Sequence, residues 1–136
     1  MANQLYTSIK EDFLGGSINL SAVNLKVALV TSGYSLDIDN HRYLSDINPL
    51  NIAASSNILE NVTITDGVLD AENETIEDYG TSGFSYLIIY ESTGSSSTSR
   101  LIAYIDTADG LPVQGTSSPV SVTIQWSDLI TKIFSL

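Results

Sequence analysis

The stretch from Phe84 to Asp106 constrains the fold of this chain more than any other. Phe-Ser-Tyr-Leu-Ile-Ile-Tyr-Glu is followed by a loop of small polar residues (Ser92–Ser99), and then by Arg-Leu-Ile-Ala-Tyr-Ile-Asp. Two runs rich in β-branched and aromatic residues around such a loop predict a β-hairpin with a long connection. The two-residue period puts Phe84, Tyr86, Ile88 and Tyr90 on one face and Leu87 and Ile89 on the other. In the return strand Ile102 and Tyr104 oppose Leu101, Ala103 and Ile105. Apolar side chains on both faces require cover on both faces, so the hairpin belongs inside a sheet rather than at its edge.

The rest of the chain has to surround that hairpin. Leu5, Ile9 and Phe13 recur at four-residue spacing with Lys10, Glu11 and Asp12 between them, which predicts an amphipathic helix over about residues 3–15. Gly15 and Gly16 end it, the first as a left-handed cap. Such a stripe packs on its own domain or holds a neighbour. Leu25–Thr31 reads as a strand closed by Ser32-Gly33. Asp39 or Asn40 is placed to cap a two-turn helix with Tyr43, Leu44 and Ile47 inward, stopped by Pro49. Residues 48–57 read as an exposed connection. Asn61–Thr65, Asp66-Gly67 and Val68–Asp70 form a tight hairpin by their turn dipeptide. Ala71–Gly83 is an acidic surface loop with a short strand near Thr75-Ile76, and Val113–Ser118 is a second loop. Val120, Val122, Ile124 and Trp126 alternate with polar residues, as in a strand with one wet face. Ile130–Leu136 is the last strand. The expected fold is mainly β: an antiparallel β-sandwich or flattened barrel of about seven strands, with an N-terminal helix and one further short helix. Residues 1–136 form a single domain, with the β body over about 18–136; a domain of that length buries about two thirds of its unfolded surface.

Composition excludes several kinds of chemistry. With no cysteine, there is neither a disulfide nor a thiolate metal site. Sixteen acids against five bases give a formal charge of −11, a surface that repels a phosphate backbone, so no nucleic-acid partner is expected. No basic segment followed by an apolar core opens the chain, and no apolar run approaches the ~20 residues of a membrane span. The expectation is a soluble chain made in the cytoplasm, with no membrane partner.

Candidate sites are few. The one histidine, His41, lies in the expected short helix, where a capping or surface role outweighs a catalytic triad. Asp37-x-Asp39-x-His41 begins like a calcium loop but lacks its glycine and its bidentate glutamate. Asp70, Glu72 and Glu74 alternate as on one strand face, to gather oxygen ligands or to face water. Paired-carboxylate glycoside hydrolysis would need an aromatic groove, yet Tyr86, Tyr90 and Tyr104 are explained as cross-strand neighbours. Asn19, Asn61 and Asn73 match glycosylation sequons by pattern alone. No catalytic residue, cofactor or metal is assigned, and the chain is not expected to be an enzyme.

Taken in order, several segments resemble the small virion structural proteins of tailed bacteriophages. The resemblance is carried by the opening helix with Gly15-Gly16, then by Leu25–Val30 and Asp39–Ile47. It continues through Tyr86–Tyr90 with Thr93-Gly94, Ser99–Asp106 and Val122–Trp126. It covers most of the chain, although no one piece is diagnostic, and the acidic Ala71–Gly83 loop departs from the pattern. The resemblance implies a capsid decoration (cement) protein on the virion surface, a homotrimer binding between subunits of the major capsid protein. A tail or head–tail connector component is the alternative within that class. A carbohydrate-binding β-sandwich, stacking sugars on Trp126 with Tyr34, Tyr43 or Tyr79, is the alternative outside it. For the capsid reading, the expected subunit contacts are Leu5, Tyr6, Ile9 and Phe13 on the helix. Capsid contacts are expected on the loops at 48–57 (Leu50, Ile52) and 92–99 (Ser95, Ser96).

Overall fold

In the computed structural model, the described residues are 4–65, 68–76, 83–106, 113, 115, 121–124 and 134–135. The predicted hairpin is its centre. Gln4–Leu5 (β1), Leu25–Val30 (β2), Ile52–Ser55 (β3), Tyr86–Glu91 (β7) and Leu101–Ile105 (β8) form one antiparallel sheet in the order β1-β8-β7-β2-β3. Thr63–Thr65 (β4), Val68–Asp70 (β5) and Phe134–Ser135 (β10) form a second sheet, ordered β10-β5-β4. Glu74–Ile76 (β6) pairs with Val122–Ile124 (β9). The architecture is mainly β and antiparallel, and among the described residues the large sheet is open, with β1 and β3 as its edges.

β7 lies between β2 and β8, and every residue of β8 is buried, as is every residue of β7 after Tyr86. This is the doubly covered ribbon that the apolar runs require. Leu69, Ala71, Ile76 and Ile124 of the smaller sheets and their connection belong to the same buried cluster as Ile88, Ile89 and Ile102. One core therefore serves all three sheets. The hairpin of β4 and β5 has the expected register, Thr65 opposite Val68, while Asp66 and Gly67 lie outside the described residues. Thr123 is exposed and Ile124 buried in β9, as alternation demands. Trp126, like most of Ile130–Leu136, lies outside the described residues.

The helix, α1, spans Thr7–Gly15 rather than starting near residue 3. The sheet edge competes for the residues before it: Gln4 and Leu5 pair with Tyr104 and Ala103 of β8. Extended Tyr6 marks the junction, donating its N–H to the Ile102 carbonyl. Gly15 is the last helical residue, and Gly16, at φ 72°, is the left-handed cap. Only a residue without a Cβ takes that conformation freely, so the second glycine, not the first, is the stop.

Between Asp37 and Ile47 a two-turn helix does not form, and the reason is local. The Asp37 carboxylate accepts from both the Asn40 N–H and its side-chain amide, while Asp46 accepts the N–H groups of Arg42 (2.7 Å) and Tyr43 (2.9 Å). Short acidic side chains have captured the donors a helix would use. A single 3₁₀ turn, Leu44–Asp46, remains, and Tyr43 bridges to Arg100. Residues 48–57 are likewise not a bare connection. Pro49 opens a second 3₁₀ turn, Pro49–Asn51, capped by the Asn48 side chain, and β3 then pairs along β2. Ile-Ala-Ala-Ser has little strand propensity; pairing with the buried β2 recruits it.

Candidate functional site

His41 sits in an irregular turn, not in a helix. Its Nδ1 is 2.8 Å from the Tyr34 hydroxyl, which in turn is 3.0 Å from the hydroxyl of Tyr6. With the imidazole proton on Nε2, each phenol donates once along the chain Tyr6→Tyr34→His41. Burial, together with neighbouring phenols, pushes the Tyr6 hydroxyl far above its ordinary range, and burial raises Tyr34 to about 12. Both therefore stay neutral near pH 7 and act as hydrogen-bonding groups, not as nucleophile or base. The ring of Tyr34 stacks on His41 at 5.5 Å, and Tyr86 carries the aromatic contact on to Tyr104. This aromatic cluster fastens the start of α1 to the sheet.

The far end of α1 is fastened by charge. Asp12, nearly buried, receives Arg42 at 2.9 Å and Arg100 at 3.4 Å. Arg100 also donates to Glu91 at 2.9 Å and to the Ser17 carbonyl at 3.1 Å. Two arginines and two carboxylates neutralise one another, and the guanidiniums that could have held an anionic ligand are committed to internal carboxylates.

The acids that suggested a cation site are occupied or separated. Asp39 accepts from the Thr7 hydroxyl at 2.7 Å, and Asp37 is engaged with Asn40. Asp70 ends β5, Glu72 lies in the connection and Glu74 begins β6, so the three do not share one strand. Among the described residues, no group of three or more His, Asp or Glu side chains is placed to hold a metal ion. Tyr34, buried and doubly hydrogen-bonded, offers no platform for a sugar ring, and Arg42 lies 5.6 Å over the ring of Tyr43. Trp126 and Tyr79, the other stacking candidates, lie outside the described residues.

The expected contact residues divide sharply. Tyr6 and Ile9 are fully buried in the chain's own core, and Leu5 and Phe13 are half-buried against that core. The helix stripe on which subunit contacts were expected thus packs inward within the chain, with Tyr6 and Ile9 off its surface. What α1 offers outward is Leu14, 91% exposed beside the glycine stop. It falls off the 5–9–13 spacing, which is the signal that could have found it. Leu50 is 88% exposed on its 3₁₀ turn, and Ile52 is half-buried at the sheet edge.

Ser95 and Ser96 are exposed in a loop that is well braced. The Ser95 carbonyl accepts from the Thr93 hydroxyl (3.0 Å), the Ser99 hydroxyl (2.8 Å) and the Thr98 N–H (3.2 Å). The Ser96 carbonyl takes the Ser45 N–H, tying the loop to the Leu44–Asp46 turn. Leu25 pairs with Glu91 and Val30 with Tyr86, while Asn51 bonds Thr31. The 92–99 loop and Leu50 therefore lie at opposite ends of β2, roughly 17 Å apart along the strand, and do not form one site.

No family profile, curated protein or solved structure matches this chain. Function therefore has to be argued from the surfaces themselves.

Proposed function

We propose that this chain is a virion structural subunit, a capsid decoration (cement) protein that binds as a homotrimer between subunits of a major capsid protein. The observation that carries the reading is where the chain spends its reactive groups. His41, both arginines and the buried carboxylates are engaged in holding α1 to a doubly covered sheet, while Leu14 on α1, and Leu50 and a braced polar loop at the ends of β2, are left exposed. A body that is rigid inside and offers small apolar and hydroxyl-rich contacts outside suits a subunit whose work is to be held by neighbours. Modest contacts repeated over a shell bind firmly through multivalency. The segment-by-segment resemblance to small phage virion proteins supports the same reading.

The test uses the full chain and heads purified from the phage that encodes it. Light scattering should give a trimer, and stripped heads should take the protein up until saturation. Leu50→Asp should lower uptake without altering the melting temperature. A stable monomer that ignores the heads would remove the proposal.

A further inference from the structure

We propose that His41 is a proton-operated latch on the start of α1: neutral, it holds the turn at residues 37–41 closed on Tyr6 and Thr7, and on taking a proton it releases them. Three contacts make the closure. The Thr7 N–H donates to the Ile38 carbonyl at 3.0 Å, and the Thr7 hydroxyl donates to Asp39 at 2.7 Å. The third is the run of hydroxyls from Tyr6 through Tyr34 to the imidazole. His41 belongs to the same turn, since its own N–H donates to the Asp37 carbonyl at 2.9 Å. The helix start has little else of this kind: α1 has no side-chain cap at its N-terminus, and β1 pairs with β8 through two residues. The turn supplies the anchorage that the helix end lacks.

The closure depends on one lone pair. Nδ1 accepts from the Tyr34 hydroxyl, and a proton on Nδ1 turns that acceptor into a donor. If Tyr34 then accepts from the imidazolium, its own proton has to turn towards Tyr6. The Tyr6 hydroxyl has no second partner among the described residues, and Tyr6 is fully buried. A donor is then left unsatisfied in the core, which is the costly case. The other course is for the imidazolium to leave Tyr34, and the charges around it favour that. Asp37, in its own turn, and Asp46, beyond the 3₁₀ turn, both feel the charge of His41. Asp39 is engaged by Thr7, and Arg42, next in the chain, is directed at Asp12. The groups on the inner side, Tyr34 and beyond it Tyr6 and Tyr86, are uncharged phenols. Anions outside and neutral rings inside draw a cation outward. Both courses end the hydrogen-bond run as built. His41 is only half-buried, so water reaches it, while the phenols behind it hold their protons. What loosens is the junction of β1 and α1, and β1 is the strand that covers the outer edge of β8. The latch is a property of the chain itself and does not rest on the capsid reading.

Amide hydrogen exchange of the full chain, read residue by residue at pH 8 and pH 5, tests it. Across that span histidine is the side chain that ordinarily changes charge, and this chain has one. After correction for the intrinsic pH dependence of exchange, protection at Tyr6 and Thr7 should fall about tenfold or more in acid, while Leu29 and Ile89 hold theirs. His41→Asn puts a carbonyl oxygen in place of Nδ1 and takes no proton, so it should stay protected at pH 8 and lose the response. Tyr34→Phe should be poorly protected at both pH values. Nitrogen chemical shifts of the imidazole at pH 8 should place its proton on Nε2. Wild-type protection indifferent to pH, an equal fall in His41→Asn, or a proton on Nδ1 at pH 8 would overturn the inference. If the asparagine does not hold the turn even at pH 8, Tyr34→Phe decides: a pH response that survives in it overturns the latch, and its absence supports it.

Discussion

Tyr34 shows how a single hydroxyl can matter more than its neighbours. It is the middle of the Tyr6–Tyr34–His41 chain, so Tyr34→Phe strands a buried phenol on one side and an imidazole nitrogen on the other. The expected loss is about 1–3 kcal/mol in urea unfolding, whereas Tyr6→Phe removes only one hydrogen bond and should cost about 1 kcal/mol. Equal losses would mean that the chain is not a relay of the kind drawn. Asp46 makes a pH-dependent contribution. Its carboxylate accepts the Tyr43 and Arg42 N–H groups, first and second in effect, and its pKa is held below the ordinary value. A depressed carboxylate stabilises the fold above the unfolded pKa, about 3.9, and that stability is lost as pH falls through the lower folded value. The gap in stability between wild type and Asp46→Asn should therefore be open at pH 7 and close in acid. A gap that widens on acidification would contradict the assignment.

At the scale of elements, the question is what holds α1 to the sheet. Asp12 is nearly buried and Arg100 largely so, while Arg42 is 40% exposed. Asp12→Ala leaves Arg100 without its partner on the helix and should cost near the lower end of about 3–5 kcal/mol. Arg42→Ala, in water's reach, should cost under about 1 kcal/mol. The two measured by urea unfolding decide whether burial or charge count governs the network. The centre of the large sheet and the hairpin of the second are legible in the sequence because their signal is strong and local: β7 and β8 are apolar on both faces, and the β4–β5 hairpin has its turn dipeptide. β3 is not, since Ile-Ala-Ala-Ser becomes a strand only by lying beside β2. The spacing around the 3₁₀ turn at Leu44–Asp46 predicts a longer helix because it shows which residues face inward but not that Asp37 and Asp46 seize the backbone donors. Of the expected contacts, Leu50 could be found as a large apolar residue in a polar stretch. The burial of Tyr6 goes with long-range partners, Tyr34 and the Ile102 carbonyl, that no local pattern reveals.

For the molecule as a whole, stability and binding should separate. Ile88→Ala, at the fully buried centre of β7, should cost about 2–5 kcal/mol through lost transfer energy and a cavity. Leu14→Asp and Leu50→Asp change side chains that are almost fully exposed and should leave stability within about 0.5 kcal/mol. Inside, the chain is organised to keep one shape; outside, it presents a few apolar points on an acidic, hydroxyl-rich surface. The most direct test is uptake of the purified chain by stripped phage heads, comparing wild type with the Leu14→Asp/Leu50→Asp double variant. The account expects saturable uptake of the wild type and marked loss in an equally stable variant. Heads that take up neither protein would contradict it.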